Sequence, residues 1–225
     1  TRRSQPVDEN KIYEVINHSL NLVREGCYDE AKQQIGPLLI EEHVLAYFMG
    51  KCARVDAHML AWLIDQAGDW MHTPVEHDPA STVADQMLRI ACRAGALACV
   101  QAIVEKCGVR VDTSFNGREQ EPLSMACRSG NAEVVRYLLQ RGASPNVGQP
   151  SVSFPLLEAA HEGNLPMVRA LVENGAAVNG LNPFGQSALS FARMGGHAET
   201  IAYLLSVGAL EPREIVAQRQ AANGG

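Results

Sequence analysis

The sequence contains no long apolar run and no excess of basic residues. No window comes near the roughly 18 uninterrupted apolar residues that a helix needs to cross a bilayer, and the segment from Thr1 to Pro6 opens no apolar signal region. Nineteen lysines and arginines stand against 25 aspartates and glutamates, which gives a formal charge of −6. This is the wrong sign for general affinity to a phosphate backbone. We therefore expect neither membrane insertion nor a nucleic-acid partner.

Paired cysteine motifs are also missing. The six cysteines form no Cys-x-x-Cys framework, and several fall at apolar positions of predicted helices, where cysteine behaves as a small hydrophobe. This usage favours a reducing compartment, so we expect the cytosol, with the nucleus as the alternative. A first residue of Thr1 rather than Met suggests a trimmed sequence, from which targeting segments can have been removed. The cysteines are Cys27, Cys52, Cys92, Cys99, Cys107 and Cys127.

Motifs for nucleotide binding and for serine hydrolysis are absent as well. The sequence holds neither Gly-x-x-x-x-Gly-Lys-Ser/Thr nor Gly-x-Ser-x-Gly, and Gly195-Gly196 falls at a repeat boundary instead of a phosphate-binding loop. Hydrophobic residues make up 46% and charged residues 20%, which is ordinary for a globular protein. We expect a folded chain that needs no cofactor, and the sequence gives no support to a nucleotide-binding or serine-hydrolase function.

A repeat with a fixed period occupies the C-terminal half of the sequence. The segments 121–130, 154–163 and 187–196 read EPLSMACRSG, FPLLEAAHEG and SALSFARMGG, and they align without gaps, so that their shared alanines are 33 residues apart. A helix with one buried face is predicted after each segment, because apolar residues recur there at i, i+1, i+4 and i+5. The three sets are Val134, Val135, Leu138 and Leu139; Met167, Val168, Leu171 and Val172; and Thr200, Ile201, Leu204 and Leu205.

The ends of these helices carry their own signals. Gly142, Gly175 and Gly208 recur 33 residues apart, where a left-handed residue would end each helix. Asn131 and Asn164 stand where a cap accepts amide hydrogen bonds, and Pro166 stands near a helix start, where a missing amide donor costs little. The period is therefore supported by local chemistry at both helix ends.

These residues resemble the ankyrin repeat. The family pattern runs Thr-Pro-Leu-His, Ala-Ala, Gly, a Val-Val and Leu-Leu helix, then Gly-Ala and a terminal Asn, and the segments 142–146 and 175–179 are similar to that tail. The resemblance implies an all-α, ankyrin-type helical repeat solenoid with about five repeats, some of them divergent. It also implies a noncatalytic module that recognises other proteins on a concave surface formed by hairpin fingers and first helices.

Upstream, the pattern continues with more drift. Leu88 to Gly95 leads into a helix with Cys99, Val100, Ile103 and Val104, and residues 51–58 lead into one with Met59, Leu60, Leu63 and Ile64. Two helical stretches, Ile12 to Arg24 and Asp29 to Ile40, are predicted to form an N-terminal helical cap. We expect a disordered N-terminus at 1–7, a cap plus a divergent repeat at 8–80, four repeats at 81–211, and a C-terminal cap helix and tail at 212–225.

A partner-binding groove is predicted from positions relative to the shared alanine. In the ankyrin family the residue before this alanine points to the concave side, and the residues that follow it flank the same surface. Arginine, methionine and aromatic side chains are enriched at interface cores, and arginine suits carboxylate or phosphate. The alternative is that the methionines and phenylalanines only fill gaps between neighbouring helices. The candidates are Ile90, Arg93, Met125, Arg128, Glu158, His161, Glu162, Phe191 and Met194.

Two smaller features allow other interpretations. Glu158, His161 and Glu162 share a helix face at i, i+3 and i+4, which permits acid-base chemistry, but an open groove offers no pocket that would shift a pKa. The long connection 70–79 contains His72, His77 and Asp78, yet no second cluster provides a further metal ligand at a recognisable spacing. We expect a protein contact in the first case and a solvated loop in the second.

The predicted finger tips form the second candidate surface. Residues 115–118, 148–151 and 182–185 carry turn residues, and Phe115 and Phe184 would either anchor a partner or pack on a neighbouring finger. We give these residues lower weight than the groove. Arg193, where the family prefers a small residue, is expected either to loosen its helix or to pair with Glu162.

Three functional hypotheses follow. The leading one is an adaptor or scaffold, monomeric when free, that binds a protein or peptide in the groove and loses it on charge reversal of Arg93 and Arg128. The second is an enzyme or small-molecule binder with a site near the divergent N-terminal helices, involving His58, His72 or His77. The third is a targeting domain of a larger protein.

Overall fold

The computed structural model describes six stretches of the chain. They are residues 9–36, 48–54, 56–75, 78–112, 122–146 and 154–223, and the side chains of 9–13, 78–80 and 223 are excluded from the description. The predicted disordered N-terminus at 1–7, the finger tips 115–118 and 148–151, and His77 lie outside these residues. The chain divides into two compact units, 1–109 and 110–225. The predicted boundaries at 80/81 and 211/212 remain predictions.

The first unit is made of short helices with one small hairpin. Helices α1 and α2 pack against each other, α3 packs on α5, and α4 packs on α5. The 3-10 segment η1 contacts both α3 and α4. Residues 48–52 are also helical. The helix bounds are Glu9–Arg24 (α1), Tyr28–Ile35 (α2), Ala57–Ala67 (α3), Gly68–His72 (η1), Val83–Ala94 (α4) and Leu97–Cys107 (α5).

The connection after α3 contains the described strands. Strands β1 (Pro74–Val75) and β2 (Asp78–Thr82) pair antiparallel, with Pro74 opposite Thr82 and Val75 opposite Asp78. Thr82 then caps α4, because its hydroxyl accepts from the Asp85 amide while the Asp85 carboxylate accepts from the Thr82 amide. The sequence predicted a solvated loop over 70–79, and this segment instead contains η1 and one short strand pair.

The second unit is a row of helical hairpins. In each described hairpin the first helix packs on the second, and helices of the same rank pack in series, α6 on α8 on α10 and α7 on α9 on α11. Both series are the stacking expected of a repeat whose single units cannot bury their apolar face alone. The bounds are Pro122–Ser129 (α6), Ala132–Gln140 (α7), Phe154–His161 (α8), Leu165–Glu173 (α9), Ala188–Met194 (α10), Ala198–Ser206 (α11) and Pro212–Asn223 (α12).

The predicted helix ends are present. The Asn131 side chain accepts from the Glu133 amide at 3.0 Å, the Asn164 side chain accepts from the Met167 amide at 3.2 Å, and Pro166 is the second residue of α9. Gly142, Gly175 and Gly208 follow α7, α9 and α11 with φ of 91°, 88° and 86°. Left-handed glycines therefore end the second helix of each described hairpin, as the sequence predicted.

Apolar residues of the predicted faces form the core in both units. In the first unit all eight predicted face residues of α3 and α5 are buried, and in the second Val134, Val135, Leu138 and Leu139 are buried as well. The predicted faces are not buried throughout: Leu205 is 48% exposed, while Thr200 and Leu204 of the same helix are buried, and Val172 and Ile201 are half-buried. The buried face of α11 is therefore narrower than the sequence predicted.

Two asparagines connect successive repeats of the second unit. Asn146 Nδ2 donates to the Gly175 carbonyl at 2.9 Å, and its Oδ1 accepts from the Ala177 amide at 2.8 Å. Asn179 does the same one repeat later, with the Gly208 carbonyl at 3.0 Å and the Leu210 amide at 2.9 Å. Each asparagine thus satisfies backbone groups that would otherwise lack a partner after a helix end.

Candidate functional site

The first helices of the second unit place a row of side chains on one surface. Helix α8 packs on α10, and their buried residues Leu156, Ala160 and Leu189 fix the spacing between the two helices. Glu158 and His161 project from α8, and Phe191 projects from α10; all three are partly or fully exposed. The His161 and Phe191 rings meet nearly edge to face, with centroids 5.8 Å apart and planes at 78°.

The connection before α10 is a tightly hydrogen-bonded turn. The Asn182 side chain accepts from the Phe184 amide at 3.0 Å and from the Gln186 amide at 2.9 Å, while its own Nδ2 donates to Gln186 Oε1 at 3.0 Å. Gly185 has φ of 74°, a conformation that a side chain would strain. The turn holds the Phe184 side chain at 87% exposure.

Together these elements form a cleft of about 420 Å³. Its walls come from α8, from the turn at Asn182 to Phe184, and from Phe191 of α10. Three phenyl rings and one imidazole thus border a space that also receives a carboxylate. Its lining residues are Phe154, Leu157, Glu158, His161, Asn182, Pro183, Phe184 and Phe191.

Charged neighbours surround the cleft. Arg128 of α6 places Nε 3.4 Å from Glu158 Oε1, and both side chains are nearly 40% exposed, so solvent weakens the pair. His161 Nδ1 lies 3.2 Å from a carboxylate oxygen of Glu162. His197 Nε2 donates to the His161 carbonyl at 2.8 Å, which fixes the end of α8 against the next hairpin.

The other predicted groove residues lie in different surroundings. Met194 is 68% exposed and its sulfur accepts a long contact from Gln186 Nε2 at 3.9 Å, which places it beside the turn. Met125 is half-buried on α6. Ile90 and Arg93 belong to the first unit, where half-buried Ile90 packs close to Gly50 and Arg93 is exposed. The described cleft thus contains Glu158, His161 and Phe191 from the predicted set.

Arg193 has a different partner from the one that the sequence suggested. Its Nη2 lies 2.8 Å from Glu211 Oε1, so the residue pairs with the connection to α12 and not with Glu162. Of the two alternatives that the sequence left open, the Arg193–Glu162 pair is wrong, because Glu211 in the connection after α11 lies beside the guanidinium instead. Arg219 of α12 also donates to the Asn179 carbonyl at 3.3 Å.

Reactive groups are few in the described part of the chain. No group of three or more histidines, cysteines, aspartates and glutamates comes together there in a way that could hold a metal ion. Burial raises the pKa of Cys99 and that of Cys107 to about 11 and raises the pKa values of Cys52, Cys92 and Cys127 further, so these thiols stay protonated near neutral pH. They act as core residues.

Comparison with known proteins agrees with the repeated hairpins. The family model for ankyrin repeats (3 copies) matches residues 49–149 and 151–216. The chain belongs to the ankyrin repeat family. A comparison with curated proteins found no match. The predicted family and the predicted fold class, an all-α ankyrin repeat solenoid, are confirmed.

Membership in the ankyrin repeat family indicates a broad class of function but no specific partner. Ankyrin repeats are generally protein-protein interaction modules, and the family is typically non-enzymatic. No helix in the described stretches is long and apolar enough to span a membrane. The cleft is therefore best considered as a candidate contact surface for another protein.

Several cleft residues were missed or given little weight in the sequence. Phe154 and Leu157 fall inside the repeated segment and were treated as pattern residues, and Asn182 and Phe184 belong to a finger. A signal for Phe154 exists, because the aligned positions hold the polar residues Glu121 and Ser187. An aromatic residue at a position that elsewhere holds a polar residue before or at the helix start indicates a contact role instead of helix capping.

Proposed function

We propose that this ankyrin repeat chain is a noncatalytic adaptor that binds an extended peptide segment of a partner protein in the cleft between α8, α10 and the turn at 182–185. The observation that carries the proposal is Phe184. A phenyl ring that is 87% exposed leaves most of its apolar surface in water, and a partner that covers this surface gains the free energy of removing it from water. Aromatic residues of this kind anchor protein interfaces.

The rigid turn supports the same proposal. Asn182 and Gly185 hold the backbone around Phe184 in one conformation before any partner arrives. A preorganised anchor loses little conformational entropy on binding, which leaves more of the contact energy for affinity. The cleft volume of about 420 Å³ lies within the range of natural ligand pockets and suits a side chain with its flanking backbone.

The remaining expectations belong to this proposal. We take the chain to be monomeric when free and to act in the cytosol or nucleus, in keeping with six cysteines that are all free thiols. The arginines at 93 and 128 stay candidates for partner contacts. The alternative of an enzyme or small-molecule binder with a site near the N-terminal helices stays a prediction.

Peptide display on the full chain tests the proposal. A random library of 12-residue peptides is selected on the native protein, and each recovered peptide is then measured by isothermal titration against Phe184→Ser and Leu205→Ser. Both positions hold exposed large apolar side chains, but Leu205 lies on α11 outside the cleft. Leu205→Ser is therefore a matched control for loss of exposed apolar surface.

We expect a set of peptides whose affinity falls at least roughly tenfold with Phe184→Ser, because one anchor side chain contributes more than about 1.4 kcal/mol to binding. The same peptides should bind Leu205→Ser as they bind the native chain. Circular dichroism and urea unfolding establish that both variants fold. Selection of no peptide with this dependence would contradict the proposal.

A further inference from the structure

The cleft combines aromatic rings with a carboxylate, and its lining residues include no lysine or arginine. Phe154, Phe184 and Phe191 line it together with Glu158, and its remaining lining side chains are Leu157, His161, Asn182 and Pro183. The ring faces carry negative electrostatic potential, and the carboxylate carries a formal negative charge. Both features attract a positive charge inside the same small volume.

A purely apolar anchor would fit this cleft poorly. It would cover Glu158, whose side chain is 38% exposed and whose Oε1 lies a long 3.4 Å from Arg128 Nε. Burying a carboxylate without a good partner costs free energy. A cationic group that reaches Glu158 removes this cost, and its aliphatic stem still packs against the phenyl rings.

The charge outside the cleft favours the same ligand. Glu162 is 62% exposed and lies beside His161 at the cleft wall, so it adds a second carboxylate near the opening. Arg128 is the opposing charge, because it lies beside Glu158, and an incoming cation competes with it. The Arg128–Glu158 pair is exposed and contributes little to stability, so replacing it with a pair between Glu158 and the ligand costs little free energy.

We propose that the cleft takes the side chain of an arginine in the bound peptide. A guanidinium stacks on aromatic faces and presents a planar fork of donors to a carboxylate, whereas the compact ammonium of lysine is more strongly hydrated. The occupant is thus an arginine-containing segment of a partner protein. This inference rests on the proposed function, since it names the residue that the peptide-binding cleft selects.

The test uses the cleft-dependent peptides recovered by display. Each arginine in a peptide is replaced in turn by citrulline, which keeps the shape of the side chain and removes its charge, and in a second series by lysine. We expect one arginine position at which citrulline lowers affinity roughly tenfold and lysine lowers it less. Glu158→Gln is expected to weaken the native peptide several-fold and to reduce the difference between arginine and citrulline to the part that the phenyl rings contribute.

Arg128→Glu distinguishes a positively charged ligand from an acidic one. An arginine ligand gains from this change, because it removes the competitor for Glu158 and adds a carboxylate, so affinity should rise or stay level. An acidic peptide, which Arg128 would suit, should lose affinity instead.

The outcomes separate the two proposals. Cleft-dependent peptides that carry leucine or phenylalanine anchors, tolerate citrulline throughout and bind Glu158→Gln normally would overturn the arginine inference and leave the peptide-binding function in place. Absence of any peptide sensitive to Phe184→Ser would overturn both. Retained folding of Glu158→Gln, checked by urea unfolding, keeps the result interpretable.

Discussion

At the scale of single residues, Asn182 is the side chain that holds the binding turn together. It accepts hydrogen bonds from two turn amides, Phe184 and Gln186, so Asn182→Ala should loosen the turn and make Phe184 mobile. We expect peptide affinity to fall several-fold, by up to roughly tenfold, because the anchor must then be ordered on binding. Isothermal titration with the cleft-dependent peptides measures this loss.

A matched asparagine is available as the control. Asn174 donates from its side chain to the Ala170 carbonyl at the end of α9, away from the turn. Asn174→Ala should cost a similar free energy of unfolding, about 1 kcal/mol, with unchanged peptide affinity. Native affinity in Asn182→Ala would mean that the turn does not preorganise the anchor.

The Arg193–Glu211 pair gives a second prediction at this scale. The two side chains are 51% and 43% exposed, so the 2.8 Å contact should contribute little. A double-mutant cycle with Arg193→Ala and Glu211→Ala should give a coupling free energy below about 1 kcal/mol in urea unfolding. A coupling above about 2 kcal/mol would show that the pair is a principal link between α10 and α12.

Individual site residues were predictable from the sequence only where the repeat pattern fixes their position. Glu158, His161 and Phe191 follow from their distance to the shared alanine, and the structure places all three at one cleft. Phe184 depends on a side-chain hydrogen-bonded turn, and the partner of Arg193 depends on where the chain returns after α11. Neither feature is encoded by the 33-residue period.

At the scale of the elements, the asparagines that bridge repeats carry a stability prediction. Asn146→Ala removes a donor to the Gly175 carbonyl and an acceptor for the Ala177 amide, and it leaves both backbone groups without this partner. We expect a loss of about 1–3 kcal/mol in the free energy of unfolding. Urea unfolding followed by circular dichroism measures it.

Gln140→Ala is the control for this prediction, because Gln140 is an exposed residue at the end of α7. It should change the free energy of unfolding by less than about 0.5 kcal/mol. Equal effects of Asn146→Ala and Gln140→Ala would contradict a bridging role for Asn146.

The sequence predicted the positions of the helix ends more completely than the burial of the helix side chains. The glycines after α7, α9 and α11 and the caps at Asn131 and Asn164 lie where the sequence placed them, because these signals are local. The exposure of Leu205 could not be predicted from local sequence signals. It depends on which neighbouring elements cover the helix, and such tertiary contacts are not a property of the helix alone.

At the scale of the whole molecule, the buried thiols couple stability to alkaline pH. The pKa of Cys107 is raised by burial from an ordinary value near 9.0 to about 11, so the unfolded chain releases the proton first as pH rises. The free energy of unfolding is therefore unaffected by this group below pH 9 and falls between pH 9 and 11. Cys107→Ala should flatten the fall of the urea midpoint across that window.

Val104→Ala serves as the comparison, since Val104 is a buried residue of the same helix as Cys107 and has no titratable group. The variant should retain the native dependence of the urea midpoint on pH. If Cys107→Ala and Val104→Ala gave the same slope between pH 9 and 11, burial of Cys107 would not be the cause of the alkaline loss.

The fold class was predictable for the second unit because three copies of one pattern agree in period, caps and apolar face. The first unit carries fewer copies and more drift, so the sequence expected a solvated loop over 70–79, where the structure has η1 and a strand pair. Short strands of this kind depend on pairing partners that a helical period does not reveal.

Photo-crosslinking from position 184 shows whether a peptide segment of another protein binds in the cleft. A photoreactive phenylalanine analogue replaces Phe184 in the full chain, and the same analogue replaces Leu205 in a second version; both are irradiated in cells and their covalent adducts are identified. The account predicts a discrete protein adduct at 184, attached through a peptide segment, and none of the same mass at 205. Adducts that form equally at both positions, or only at 205, would contradict peptide binding in the cleft.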